Sequence, residues 1–333
     1  MRLLVTGGLG FIGSNFIRFM LEKCNNIGII NVDKCSYGSN INNLQEYESD
    51  SRYRLIKGDI NDAALLRELI NGVDVVVNFA SETHVDRSIA NPWPFIESNV
   101  SGVITILETS RKYKPETRVV QISSDEAYGD ATTGAFSEND RLTPSSPYAA
   151  SKAAADLFVL AYHRTYKLDV LVLRSTNNFG PYQFPEKFMP KTIIRALKGL
   201  PIPIYGKGTN VRDWIYVKDF CEAIDLTLHK GKSGEIYNVS AHNSYRNIDV
   251  AKKILELLSL DHSLIQFVED RPGHDKKYSI DATKISSELG WKPRYQFDAA
   301  LKRTVEWYVN NRKWWELIID ENVLHSTPWK LKW

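Results

Sequence analysis

Leu3-Leu4-Val5-Thr6-Gly7-Gly8-Leu9-Gly10-Phe11-Ile12-Gly13 decides the reading of this fold. Leu3–Thr6 is a short apolar run of strand length, and from Phe11 to Lys23 the apolar residues recur at helical spacing. The turn between them carries glycine at every third position, Gly7, Gly10 and Gly13. The first permits a sharp turn, the second lets the backbone approach a pyrophosphate, and the third lets helix pack close on strand. The helix start adds free N–H groups and a positive dipole end. A glycine triplet alone is weak support. Here Asp33 closes the next apolar run, Ile27–Asp33, twenty residues after Gly13. A carboxylate at that place accepts hydrogen bonds from an adenosine ribose diol and repels a 2′-phosphate, so NAD is expected over NADP.

The pattern continues outward. Tyr53–Lys57, Val73–Ala80, Arg118–Ser124 and Leu168–Arg174 are further runs rich in Val, Ile and Leu, without strict alternation. Strands buried on both faces read this way. Amphipathic stretches such as Ala63–Ile70 lie between them. The expected fold class is α/β, a Rossmann-type doubly wound parallel sheet with a smaller, mixed α/β substrate-binding lobe. Residues 1–180 are expected to form the NAD-binding domain and 181–333 mainly the substrate lobe, with a soft boundary. Pro181, Pro185, Pro190, Pro201, Pro203 and Pro272 loosen the rhythm there, and a segment near 211–239 is expected to return to the first lobe. Helices are expected at Lys187–Leu197, Val217–His229, Ile248–Leu258 and Phe297–Asn310. Five of the eight tryptophans fall between Trp307 and Trp333, a tail expected to pack onto the body.

Composition sets the outer bounds. The chain has 333 residues, 43% hydrophobic and 25% charged, with 42 Lys+Arg against 40 Asp+Glu. A net charge of +2 demands neither nucleic acid nor an anionic membrane as partner. No apolar run approaches a membrane span, and the first one breaks at Thr6-Gly7. Cys24, Cys35 and Cys221 are widely spaced and odd in number, which points to free thiols, a reducing compartment and no metal site. A cytoplasmic location is expected.

Two further stretches carry chemistry. Ser145-Ser146-Pro147-Tyr148-Ala-Ala-Ser-Lys152 starts a helix, with Ser146 as N-cap and Pro147 in the first turn. Lys152 follows Tyr148 by four residues on one face. An ammonium and a positive helix end both favour phenolate, which would serve as base toward a hydroxyl proton. The Arg118–Ser124 run ends in Ser123-Ser124-Asp125-Glu126-Ala127-Tyr128-Gly129, at the sheet edge where the nicotinamide is expected. The Ser124 hydroxyl can bond a substrate oxygen there. Asp125 and Glu126 are like charges close together, which separates an acid from a base. That is equipment for eliminating water. Asp59 either flanks the adenine or caps a helix.

Seven segments together resemble the extended short-chain dehydrogenase/reductase superfamily and, within it, the dTDP-glucose 4,6-dehydratases. They are Thr6–Asn15, Ser81–Ser88, Ser123–Gly129, Tyr148–Lys152, Asn177–Lys187, Asn210–Trp214 and Asp270–Asp275. The resemblance runs to about Asn310, and the Asp125-Glu126 pair separates it from the epimerases and decarboxylases of the superfamily. It implies that Tyr148 takes the 4-hydroxyl proton, Glu126 the C5 proton, that Asp125 protonates the leaving 6-hydroxyl, and that Ser124 bonds the C4 oxygen. The family more usually has threonine at Ser124 and valine at Ala127. Serine keeps the hydroxyl but loses the methyl that fixes its rotamer. For NAD the resemblance implies Phe11, Ile12, Asp33, Lys34, Ser36, Asp59, Ile60, Ala80, Ser98, Tyr148, Lys152 and Asn178. For a dTDP-sugar it implies His84, Asn177, Lys187, Arg212, Asn243, Arg271, His274 and Tyr278, the two arginines suiting diphosphate oxygens. A UDP or GDP sugar remains an alternative, as does 4-epimerisation or decarboxylation. The resemblance also implies a homodimer through the helices around Phe95–Arg111 and from Tyr148, where Ala153, Ala154, Leu157, Phe158 and Ala161 make an apolar stripe. It implies a place in deoxysugar biosynthesis, rhamnose included.

Overall fold

The computed structural model describes residues 1–333. The strands are β1 (Arg2–Thr6), β2 (Gly28–Asp33), β3 (Tyr53–Lys57), β4 (Val75–Asn78), β5 (Arg118–Ser124), β6 (Val170–Ser175), β7 (Asn177–Phe179), β8 (Ile202–Tyr205), β9 (Val211–Tyr216), β10 (Ile236–Val239), β11 (Ser244–Arg246) and β12 (Ile265–Val268). The helices are α1 (Phe11–Lys23), α2 (Ala63–Ile70), α3 (Val85–Ala90), α4 (Trp93–Ile96), α5 (Gly102–Tyr113), α6 (Pro147–Tyr166), α7 (Phe188–Leu197), α8 (Val217–Lys230), α9 (Asn247–Leu257), α10 (Thr283–Leu289), α11 (Phe297–Asn310) and α12 (Arg312–Glu316).

Seven parallel strands form the main sheet in the order β10-β6-β5-β4-β1-β2-β3. Chain order reverses between β1 and β4, which opens the crevice where ligands sit in such sheets. Successive strand residues feed opposite layers, because side chains alternate across a sheet. Leu3 and Val5 join the core under α1 and α8, whereas Leu4 joins the core under α2, α5 and α6. Val75 and Val77 split from Val76, and Leu171 and Leu173 from Val170 and Val172, in the same way. Both faces are covered, so the strands read as continuous apolar runs.

The second lobe has a three-stranded sheet, β11-β9-β7, and the parallel pair β12-β8. Its core gathers Phe179, Trp214, Phe297, Tyr308 and Trp315. The chain returns to the first lobe twice. Val217–Val239 supplies α8 and β10, and Ala282–Trp291 packs Ile285, Leu289 and Trp291 into the first core. The second return has no mark in the sequence pattern, since α10 is only two turns long.

Two local features shape the site. Gly7 has φ +70°, and a Cβ there would lie 2.5 Å from the Ala80 backbone nitrogen. A Cβ on Gly13 would lie 2.5 Å from the Gly7 carbonyl oxygen, so both glycines are required by the turn itself. The helical stretch from Trp93 to Tyr113 is also not one α-helix, because Glu97–Ser101 is a π turn. That turn carries Ser98 to the crevice.

Candidate active site

One cleft runs along the carboxyl ends of the main strands. Its wall includes every residue expected to hold the dinucleotide: Gly7, Gly10, Phe11, Ile12, Gly13, Asp33, Lys34, Ser36, Asp59, Ile60, Ala80, Ser98, Tyr148, Lys152 and Asn178. Ser124, Asp125, Glu126, Asn177 and Lys187 line the same cleft. His84, Arg212, Asn243, Arg271, His274 and Tyr278 do not line it; His84, Arg212 and Tyr278 are buried, and the charges of Arg212 and Arg271 act on Glu126.

The residues present fit a dinucleotide. A Cβ on Gly10 would meet only the Gly7 carbonyl oxygen, at 3.2 Å, so the protein alone hardly requires glycine there. Its open side faces the cleft, as close approach of a pyrophosphate requires. The Asp33 carboxylate receives the Leu9 N–H at 2.9 Å and the Cys35 N–H at 2.8 Å. Burial pushes its pKa up against those two bonds. The bonds hold it at the strand end, with lone pairs left for a ribose diol. Lys34 Nζ lies 2.7 Å from Asp59 Oδ2 and 3.5 Å from Glu97 Oε1, so its charge is already engaged. Asp59 is not a helix cap: Asp62 caps α2, receiving the Ala64 and Leu65 N–H groups.

Tyr148 enters at the first turn of α6, with Ser146 capping the Ala149 N–H at 3.1 Å. The phenol is buried against Phe95 and Val85. Burial first, and the charge of Glu126 next, push its pKa well up, while the Ser124 hydroxyl works the other way. The expected help from Lys152 is not direct. Lys152 Nζ donates to the Ile122 carbonyl at 2.6 Å, and burial lowers its pKa to about 8, with Asp156 opposing. Desolvation pushes both groups toward their neutral forms.

Ser124 ends β5 and caps the single turn Asp125–Tyr128 by receiving the Glu126 N–H at 3.2 Å. Asp125 is buried, and its Oδ2 has no hydrogen-bond partner. Burial, Glu126 and Asp213 raise its pKa well above the usual carboxylate range. Glu126 is also raised by burial, but Arg271, Arg212 and Lys187 pull it back.

Behind these acids lies a charged layer. Arg271 Nη1 bonds Asp86 Oδ1 at 2.9 Å, and Tyr205 donates to Asp86 Oδ2 at 2.7 Å. Arg212 Nη2 donates to the Asp275 carbonyl at 3.0 Å. His84 Nδ1 lies 3.5 Å from Glu186 Oε2, and burial among Lys187, Lys191, Arg87 and Arg271 drives its pKa well down. His274 Nδ1 lies 2.5 Å from Asp270 Oδ1, and burial lowers it to about 4. Lys187 Nζ donates to the Thr83 carbonyl at 2.7 Å, and Asn243 Nδ2 to the Trp214 carbonyl at 3.1 Å. Sequence reasoning missed Asn31, whose Oδ1 fixes the Gly8 N–H at 3.0 Å. A polar residue inside an apolar strand run was the available signal. It also missed Tyr37, Asp86, Arg87 and Glu186. Of these, Asp86, Arg87 and Glu186 lie inside segments quoted for the resemblance.

Sheet order, glycine loop and the Tyr148/Lys152 helix define the class, an extended short-chain dehydrogenase/reductase. Residues 4–304 match the family model described as GDP-mannose 4,6 dehydratase. The dTDP-glucose 4,6-dehydratase of Streptomyces niveus is 44% identical, with 98% of each chain covered. That of Salmonella typhimurium is 42% identical over 94% of each chain. The structure of DesIV, the dTDP-glucose 4,6-dehydratase of Streptomyces venezuelae with NAD and TYD bound, superposes with a TM-score of 0.94 at 45% identity, covering 96% of this chain and 100% of that one. The chain belongs to the GDP-mannose 4,6 dehydratase family, on the branch it shares with the dTDP-glucose 4,6-dehydratases.

Proposed function

We propose that this chain is an NAD-dependent hydro-lyase that converts dTDP-glucose to dTDP-4-keto-6-deoxyglucose. The observation that carries this reading is the pair Asp125 and Glu126 at the end of β5, in one cleft with Tyr148 and Ser124. A 4-epimerase or decarboxylase has no use for two acids there.

Bound NAD, held by the glycine loop and Asp33, supplies a hydride acceptor and donor and, while oxidised, a positive ring that favours the Tyr148 phenolate. Tyr148 takes the 4-hydroxyl proton, and Ser124 Oγ bonds the C4 oxygen. The 4-ketone acidifies the C5 proton, and Glu126 takes it. The C5–H electron pair forms the C5–C6 double bond as the C6–O bond breaks. Asp125, kept protonated by its surroundings, gives its proton to the departing hydroxyl, and water leaves. Glu126 returns its proton to C5 as C6 is reduced. The proton gained at Tyr148 balances the one lost at Asp125. Arg212, Arg271 and Lys187 offer cations for the diphosphate, with His84, Asn177, Asn243 and His274 around them; Tyr278, which the resemblance also gives to the sugar nucleotide, has its hydroxyl taken up by Glu126 and Asp275 instead.

Incubation with dTDP-glucose should produce the alkali-induced ultraviolet absorbance of a 4-keto-6-deoxy sugar. A C4 epimer without that absorbance overturns the reading. UDP- and GDP-sugars run in parallel decide the nucleobase. Glu126→Gln should oxidise C4 yet lose about 10²–10⁴-fold in water elimination. Elimination at the parental rate in that variant removes Glu126 as the C5 base.

We also infer a homodimer in the cytoplasm, in deoxysugar biosynthesis such as that of rhamnose. On α6, Leu157 is 58% and Phe158 39% exposed, and Trp93 and Ile96 are exposed on the neighbouring α4. Ala153 faces inward, so only the outer part of the stripe is free. An apolar face of this kind supports association with a second copy. Arginine at both Leu157 and Phe158 should halve the mass in sedimentation equilibrium.

A further inference from the structure

The Tyr278 hydroxyl lies between two carboxylates. It is 3.2 Å from Glu126 Oε2 and 2.8 Å from Asp275 Oδ2. A phenol has one proton, so it donates to one carboxylate and offers only lone pairs to the other. The shorter contact assigns the proton to Asp275. The phenol oxygen then faces Glu126 as an acceptor, which suits a Glu126 that carries a proton. We propose that Asp275 and Tyr278 are a positioning pair for Glu126: Asp275 engages the phenol proton, and the phenol oxygen receives the Glu126 carboxyl once that group has taken the C5 proton.

The pair is built to hold one arrangement. Tyr278 and Asp275 are both buried. The Asp275 carboxylate holds the ring by its hydroxyl, while its carbonyl receives Arg212 Nη2 at 3.0 Å and Asn210 Nδ2 at 3.1 Å. The Arg212 guanidinium sits 4.0 Å from the Tyr278 ring centre, so Asp275 holds the ring at its hydroxyl and the Arg212 that its carbonyl binds covers the ring face. A hydroxyl shared by two carboxylates is poorly placed to serve a diphosphate as well.

The sign of the effect follows from the groups around Glu126. Arg271, Arg212 and Lys187 favour its anion. Burial and the Asp275 charge favour its acid. Asp125 and Tyr148 face it from the turn after β5 and from α6, and both feel its charge. An acceptor oxygen on Tyr278 adds to the acid side. The pair therefore makes Glu126 a stronger base, and without it the three cations make Glu126 a weaker one.

This rests on the assignment of Glu126 as the C5 base. Its test uses the NAD-loaded enzyme with dTDP-glucose and the variants Tyr278→Phe and Asp275→Asn. In both, dTDP affinity and the rate of C4 oxidation should stay within about twofold, and water elimination should fall about tenfold or more. The acid limb of the elimination rate should move to lower pH, a change that loosened packing alone does not produce. An unmoved acid limb in both variants overturns the proposal. So does a joint fall of dTDP affinity and C4 oxidation in Tyr278→Phe, which would make Tyr278 a nucleotide ligand. Parental enzyme without turnover of dTDP-glucose removes the functional reading and this inference together, whereas turnover with an unmoved limb removes the inference alone.

Discussion

Asp125 and Glu126 are neighbours in sequence but not in surroundings. Asp125 has an unpartnered buried oxygen and faces Asp213 as well as Glu126, so its proton is held tightly. Glu126 faces three cations and gives its proton up more readily. That ordering, acid then base, is the one elimination needs. The residue types are legible in sequence; their surroundings are not, because Arg271, Arg212 and Asp275 arrive from far along the chain. Lys191 is a similar case. It lies on α7 at a position that reads as an ordinary helix residue, yet it is buried, its ammonium reaching only the His325 carbonyl at 3.2 Å. Burial lowers its pKa from 10.5 to about 8. Below about pH 8 both folded and unfolded chains carry the charge, and the folded state bears the desolvation cost. Between about 8 and 10.5 the folded chain releases the proton while the unfolded chain keeps it, so stability rises with pH in that window. Lys191→Met should therefore stabilise the protein at neutral pH by about 1–3 kcal/mol, with the gain shrinking toward the upper end of the window. Urea unfolding of both proteins at neutral pH and at the top of that window measures it. A destabilised variant at neutral pH would mean that the bond to the tail outweighs desolvation.

α3 shows how an element without a strong pattern is held in place. It has only six residues, too few to be stable alone, and it carries Asp86 and Arg87 side by side. Asp86 holds Arg271, and Arg87 bonds Glu82 Oε2 at 2.7 Å. The end of the chain buttresses both. The Trp329 ring packs 4.8 Å from that of Tyr205, which bonds Asp86. The Trp333 ring packs 5.6 Å from that of Tyr37, which itself sits 4.1 Å from the Arg87 guanidinium. Removal of Trp329–Trp333 should cost about 2–4 kcal/mol in urea unfolding, since one indole is nearly all buried and the other is partly so. It should also weaken dTDP binding several-fold, because Arg271 loses the support of a fixed Asp86. Titration of the shortened protein with dTDP checks this, and unchanged affinity would show that α3 stands without the tail. At this scale sequence reading succeeds where periodicity is long. α1, α2 and α11 begin and end where their apolar spacing begins and ends. It fails for β7 and β11, which have three residues each, for the π turn at Glu97–Ser101, and for the path of the tail, none of which has a repeat to read.

The whole molecule joins its two lobes through shared chain rather than through a single hinge. Texture along the sequence changes near residue 180, where prolines accumulate, and that change marks where the chain first leaves the main sheet. Spatial order is different, because a parallel sheet accepts a new edge strand from any later part of the chain. β10 completes the sheet beside β6, and α8 and α10 cover the face that α1 leaves open. Thirteen of the thirty residues in the larger core come from beyond residue 180, Phe220, Ile224, Tyr237 and Trp291 among them. A fragment of residues 1–180 would expose the edge of β6 and nearly half of that core to water, although it keeps the glycine loop, Asp33, Tyr148 and Lys152. Exposed edges and large apolar faces drive association rather than folding. The full chain should therefore unfold in urea as one cooperative transition, with near-ultraviolet dichroism and tryptophan fluorescence coincident. The fragment should show no cooperative transition and no measurable NAD binding by calorimetry. A fragment that binds NAD and unfolds sharply would mean that the first lobe carries its own stability, and that the two returns of the chain serve only to fasten the second lobe to it.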